Sequence, residues 1–105
     1  MERKKINLGL IGYGTVGQKV IQIIYGNKIN VENKIGAEVH FSIICERNIT
    51  AAKRLLKHSK HKSIKVTDDW KKVVYDKDID IIIELIGGQE PAKTIPFSLG
   101  VARIP

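Results

Sequence analysis

Gly12, Gly14 and Gly17 stand in the spacing G-x-G-x-x-G. Ile6-Asn7-Leu8-Gly9-Leu10-Ile11, an apolar run of strand character, comes directly before them. Directly after them Val16, Val20, Ile23 and Ile24 recur at helical spacing, with Lys19 and Gln22 between. A strand that turns through such glycines into a helix is suited to holding an anion. The first helical turn offers N–H groups without a partner inside the helix, and the positive end of the helix dipole adds roughly 0.3–1 kcal/mol for a negative charge there. The three glycines act differently. Gly12 permits the tight turn, Gly14 removes a side chain where a diphosphate must approach the backbone, and Gly17 lets the helix lie close to the strand. A bare strand-to-helix turn does not require all three, so the pattern points to a dinucleotide.

A second chemical pair, Glu46-Arg47, ends the next strand candidate. An acid at that place binds the ribose hydroxyls of a dinucleotide, and an arginine accommodates the 2′-phosphate of NADP. Both are present. The gap from the glycines exceeds the usual ~20 residues, and the long first helix with its extension accounts for the excess. Arg47, with Lys53 near it in sequence, tilts the balance toward NADP and leaves NAD open.

Other reactive residue types read as structural. His58 and His61 are the exception: they sit among lysines that oppose a metal cation, and no neighbouring ligands complete a set, so solvated loop histidines and no metal site are expected. Cys45 closes an apolar strand as a buried thiol, and His40 lies on that strand's polar face. Glu84 interrupts an apolar run and needs a hydrogen-bond partner; orienting nearby backbone is the favoured role, ahead of one beside the cofactor. Asp68 and Asp69, before Trp70, suit helix capping better than paired-carboxylate catalysis.

The elements that position these groups follow from periodicity. After the first strand, the helix either breaks near Gly26-Asn27 or runs on toward Lys34, with Gly36 as a stop. Ala37 to Cys45, carrying Val39, Phe41, Ile43 and Ile44, forms the second strand. Ile49 to His58 forms a short helix with Ala51, Ala52, Leu55 and Leu56 on its inner side. Ile64-Lys65-Val66 is a brief third strand, and Thr67 or Asp68 caps a helix through Trp70, Val73 and Val74. Asp78-Ile79-Asp80 opens the most apolar run, Ile81 to Ile86, which ends in Gly87-Gly88. Strands alternating with helices imply an α/β chain: a partial Rossmann fold, with a parallel sheet of about four strands and helices on both faces. Ile81 to Ile86 is apolar on both faces, as an inner strand is. As the last strand of four it would be a poorly covered edge, which predicts marginal stability or association into a homo-oligomer.

With 105 residues, 43% of them hydrophobic and 28% charged, the chain fits one soluble domain or part of one. The +7 net charge raises the question of nucleic acid. Nearly all of it belongs to Lys53, Arg54, Lys57, Lys60, Lys62 and Lys65, a segment with no acid and no interleaved aromatics, so a solvated loop is favoured. The single cysteine excludes an internal disulfide, no apolar run approaches the ~20 residues of a membrane span, and Met1 to Lys5 is unlike a signal peptide. A cytoplasmic protein with no nucleic-acid or membrane partner is expected.

Gly12-Tyr13-Gly14-Thr15-Val16-Gly17, taken with Asp78 through Gly88 and then Gln89-Glu90-Pro91-Ala92, resembles homoserine dehydrogenase over about residues 5 to 92. The Glu84-Leu85-Ile86-Gly87-Gly88 run is the more particular motif. The resemblance implies an NAD(P)-dependent oxidoreductase that interconverts L-homoserine and L-aspartate 4-semialdehyde, on the route to threonine and methionine. It implies further that Gly12, Tyr13, Gly14, Thr15, Val16 and Gly17 hold the cofactor phosphates, with Arg47 beside them and Gly87 and Gly88 near the nicotinamide. The family's helix, strand and Thr-Ala-Asn-Lys motif do not follow; Pro96 interrupts the helix, and the tail is expected to be a truncation or reading-frame scar. The expected division is therefore an incomplete NAD(P)-binding domain at 1–92 and a divergent tail at 93–105. On this reading the catalytic residues and small-molecule substrate site belong to an absent second domain, and the chain alone is inactive. The rival readings are a related dehydrogenase, such as an aspartate dehydrogenase, and a stand-alone NAD(P)-binding or regulatory module.

Overall fold

A computed structural model describes residues 4–61 and 63–85, and the backbone of 101–103. The elements run β1 (Lys4–Ile11), α1 (Thr15–Gly26), α2 (Lys28–Ile35), β2 (Ala37–Cys45), α3 (Ile49–Lys57), β3 (Lys65–Thr67), α4 (Lys71–Val74), β4 (Ile81–Glu84) and β5 (Val101–Arg103). The sheet order is β3-β2-β1-β4-β5, and every pairing is parallel. The order steps outward from β1 to β2 and β3, then returns to β4 on the other side of β1. In open α/β sheets ligands bind at such a reversal, which here falls at the carboxyl ends of β1 and β4.

Two apolar clusters lie on opposite faces of the sheet, so β1 is covered on both. Leu8 and Leu10 of β1 join Val39, Phe41 and Ile44 of β2, Ile21 of α1, and Ala52 and Leu56 of α3. Ile11 faces the other way, with Cys45, Ile82, and Val73 and Val74 of α4. Adjacent Ile82 and Ile83 of β4 serve the two clusters in turn, as a strand's period of two requires.

β2 does not keep that alternation. Leu8 pairs with Phe41 but Gly9 pairs with Ile43, so Ser42 is an extra residue on β2. Its hydroxyl reaches back toward the Leu8 carbonyl at 3.4 Å. Beyond this bulge the faces exchange: Val39, Phe41 and Ile44 pack on one side, and Ile43 packs on the other with Cys45.

The first helical region breaks at Asn27 and continues as α2. Asn27 Nδ2 donates to the Ile23 carbonyl at 2.9 Å, and Gly36 closes α2 in the left-handed region at φ 70°. No residue of α2 is fully buried; half-buried Val31 packs against the core, and hydrogen bonding adds a second hold. β3 pairs with Ile43, Ile44 and Cys45, and among the described residues no strand lies on the outer side of the earlier half of β2. There Glu32 Oε2 of α2 accepts from the Val39 amide at 2.8 Å, and the Tyr25 hydroxyl of α1 accepts from the Phe41 amide at 2.8 Å. Side chains thus take the place of a strand along that edge. Tyr25 also meets Phe41 edge-on at 5.5 Å and His61 at 4.8 Å, which gives His61 a packing role.

Three expectations need correction. Leu55 is 40% exposed, and α3 buries Ala52 and Leu56: the inner stripe of so short a helix is narrower than its apolar content. The turn into α4 is held by Asp69, whose Oδ1 accepts from the Lys71 amide at 3.0 Å, while Thr67 Oγ1 accepts from the Asp69 amide; Thr67 and Asp68 do not cap it. β4 is not an edge, because Ile82, Ile83 and Glu84 pair with Val101, Ala102 and Arg103 of β5. The expected association built on a bare β4 loses that premise. Pro96 and the rest of 86–100 lie outside the described residues.

Gly17 and Gly14 are expected to separate in stability. A Cβ on Gly17 would stand 2.3 Å from the Gly12 carbonyl oxygen, whereas one on Gly14 meets nothing within 4 Å. Gly17→Ala should cost about 1–3 kcal/mol or more, and Gly14→Ala should remain within about 0.5 kcal/mol of the parent, by urea unfolding. Tyr25→Phe, which strips the acceptor from the Phe41 amide, should cost about 1–2 kcal/mol in the same assay.

Candidate nucleotide-binding site

The turn between β1 and α1 is built to be held open. Gly12 has φ 101°, a conformation that L side chains rarely adopt. Its amide donates to the Cys45 carbonyl at 2.9 Å, continuing the β1–β2 ladder one residue past the strand. The Tyr13 amide donates to Glu46 Oε2 at 2.7 Å, and the Tyr13 ring turns inward, 5% exposed within the core. Burial raises the Tyr13 phenol above its ordinary value.

Gly14 is the residue before α1, and Gly14, Thr15 and Val16 are exposed. The first bond of the helix comes from the Gln18 amide to the Gly14 carbonyl at 3.0 Å. The amides of Thr15, Val16 and Gly17 precede it and have no acceptor in the helix by construction. The first turn of α1 carries no acid. Open space over Gly14, amides at a helix start and no acid in the first helical turn suit an incoming anion.

Glu46 lies just past β2 and its amide donates to the Thr67 carbonyl at 2.9 Å. Its carboxylate spans two segments, taking the Tyr13 amide on Oε2 and the Arg47 amide on Oε1 at 3.1 Å. Arg47 is exposed. The Gly12-to-Gly17 turn and Arg47 therefore meet at the carboxyl end of the sheet, joined through one side chain. Gly87 and Gly88 lie outside the described residues. Leu85, just before them, donates its amide to the Ile11 carbonyl at 2.9 Å, so the chain leaving β4 passes beside the turn. Glu84 is 1% exposed and partnered.

The acid after β2 was legible as a residue type, but its engagement with the glycine turn was not. Nothing local in Glu46-Arg47 says that residue 13 will stand within 2.7 Å. Cys45, beside these groups, is no nucleophile: burial, then the charges of Glu46, Asp69 and Asp68, push its thiol up to about 11. Among the described residues no group of three or more His, Cys, Asp or Glu is placed to hold a metal ion, and no helix is long and apolar enough to cross a membrane.

The Cys45 shift has a consequence for stability. The folded thiol keeps its proton in a range where an unfolded one, near its ordinary 9.0, has lost it. Stability is then intact below about pH 9 and falls as the pH rises toward 11. From pH 8 to 10.5 the parent should lose about 1–2 kcal/mol more than Cys45→Ala, measured by urea unfolding at each pH.

Comparison with known proteins agrees with this geometry. The family model described as homoserine dehydrogenase, NAD binding domain, matches residues 12–98. A homoserine dehydrogenase of Methylobacillus glycogenes is 34% identical over 92 residues, covering 88% of this chain and 21% of the relative. The crystal structure of a homoserine dehydrogenase from Thiobacillus denitrificans superposes with a TM-score of 0.81 at 30% identity, over 97% of this chain and 23% of that one. A levoglucosan dehydrogenase in complex with NADH and levoglucosan superposes at 0.61 with 25% identity, over 76% of this chain and 21% of that one. The chain spans about a fifth of the length of the homoserine dehydrogenases that it matches. With its glycine turn, reversed strand order and sequence all in agreement, the chain belongs to the homoserine dehydrogenase family and corresponds to that family's NAD-binding domain.

Proposed function

We propose that this chain is the cofactor-holding part of an enzyme that interconverts L-homoserine and L-aspartate 4-semialdehyde, a step toward threonine and methionine, with NADP preferred over NAD. The observation that carries the reading is the turn: the exposed helix start at Gly14, Thr15 and Val16, with open space where a Gly14 side chain would stand. The amides of Thr15, Val16 and Gly17 would hold the diphosphate. Gly12 and Gly17 shape the bend, and Tyr13 contributes through its place in the loop, since its ring is buried. Arg47 faces the adenosine ribose and favours a 2′-phosphate there by charge and paired N–H donors. Gly87 and Gly88 are assigned to the nicotinamide side because the preceding strand end lies against β1. The bound nicotinamide supplies the hydride chemistry.

The residues of this chain bind and orient, and none is assigned the proton transfer. Hydride exchange with an alcohol also needs a group that holds the substrate carbon and takes its proton. We assign that group, the small-molecule substrate site and any pairing of subunits to sequence outside this cofactor-binding unit, whose sheet takes in Val101–Arg103 as β5. The cytoplasm is the proposed compartment.

Calorimetric titration of the chain tests the reading. Both dinucleotides should bind, NADP more tightly. Gly14→Leu should weaken both by more than about tenfold, about 1.4 kcal/mol, while melting as the parent does. Arg47→Ala should weaken NADP by about tenfold or more and leave NAD nearly unchanged. Unaltered affinity in a folded Gly14→Leu variant would overturn the reading.

A further inference from the structure

Glu46 stands where an acid would be expected to grip the ribose of a dinucleotide, yet its carboxylate is turned toward the protein. Oε2 accepts the Tyr13 amide at 2.7 Å, a short charge-assisted bond, and Oε1 accepts the Arg47 amide at 3.1 Å. The first bond crosses 33 residues of sequence, from the end of β2 to the glycine turn, and it is partly buried. The second ties the same carboxylate to the residue whose side chain would meet a 2′-phosphate. We infer that Glu46 is a positioning residue: it fixes the diphosphate-binding turn against the end of β2, and it is not a ribose ligand.

Three features support this. The Tyr13 amide lies between Gly12, at φ 101°, and Gly14, the open residue at the helix start, so a tether at residue 13 acts in the middle of the bend. The Glu46 backbone is itself anchored through its amide to the Thr67 carbonyl of β3 at 2.9 Å, so the tether has a fixed base. The Gly12 amide bonds the Cys45 carbonyl, so Gly12 and Tyr13 donate in succession to Cys45 and Glu46. The β1–β2 ladder is thereby prolonged into the turn, with a carboxylate as its last acceptor. Swinging Glu46 out to a ribose would break that last bond and leave a partly buried N–H without an acceptor.

The inference rests on the turn being a dinucleotide site and adds how the chain discriminates between cofactors. If Glu46 is a tether, discrimination falls to Arg47, and Glu46 affects both dinucleotides alike. Glu46→Gln keeps the shape of the side chain but turns one acceptor oxygen into a donor NH2, which can serve only one of the two amides. Titrated with NAD, NADP and inorganic pyrophosphate, the Glu46→Gln chain should lose affinity for all of them by a similar factor, about fivefold to twentyfold, with the NADP-to-NAD ratio held within about twofold. A selective loss of NAD would make Glu46 a ribose ligand and overturn the inference, leaving the cofactor reading intact. Unchanged affinity for every probe would overturn it as well, by making the bond one of stability only. If the parent chain binds neither dinucleotide, the cofactor reading fails and takes this inference with it.

A second measurement does not depend on the variant folding. In the parent chain the Tyr13 amide should be protected from hydrogen exchange, and it should stay protected when NAD is bound. Loss of that protection on adding NAD would show Glu46 leaving for the ribose and would overturn the inference.

Discussion

The approach of α1 to the end of β1 is the constraint on which the rest of the domain depends. A Cβ at Gly17 would collide with the carbonyl oxygen of Gly12, so the helix axis can lie where it does only because position 17 has no side chain. That closeness seats Ile21 in the sheet's core beside Leu10 and Phe41 and aims the start of α1 toward the carboxyl end of β1. The packing of α1 and the aim of its start therefore share one cause. A helix held further away would lose core contact and point its free amides elsewhere.

That arrangement makes demands on β2. The strand carries the end of the ladder that holds the turn, at Cys45 and Glu46, yet β3 covers only its last residues. The earlier residues would present bare amides. Tyr25 and Glu32 meet them from the helical layer. α2 is held by the bond that Glu32 accepts together with the packing of Val31 against the core. The same reasoning applies to the far side of the sheet, where β5 satisfies the outer edge of β4.

The bulge at Ser42 shows how one residue can reassign a strand. Without it, strict alternation from Val39 and Phe41 would send Ile43 into the α1/α3 face and Ile44 away from it. With it, Ile44 enters that core and Ile43 and Cys45 pack with α4. Both faces remain apolar, so the sequence tolerates either register. The extra residue carries Cys45 and Glu46 to the height at which they meet Gly12 and Tyr13.

Much of the domain was legible in the residues alone. The strand–glycine–helix order, the span of β2 and the apolar β4 follow from period, glycine spacing and β-branched runs, all properties of neighbouring residues. The family could be recognised for the same reason, since its motifs are short and contiguous. What the tertiary structure decided concerns partners far apart in the chain: Glu46 meeting Tyr13, Glu32 and Tyr25 meeting the edge of β2, Leu55 left outside the core, and β5 beside β4. A carboxylate near a strand end has many possible donors. Which one it meets is set only when separate elements have packed, because a hydrogen bond needs its two atoms within about 3 Å, and sequence position alone does not specify that distance.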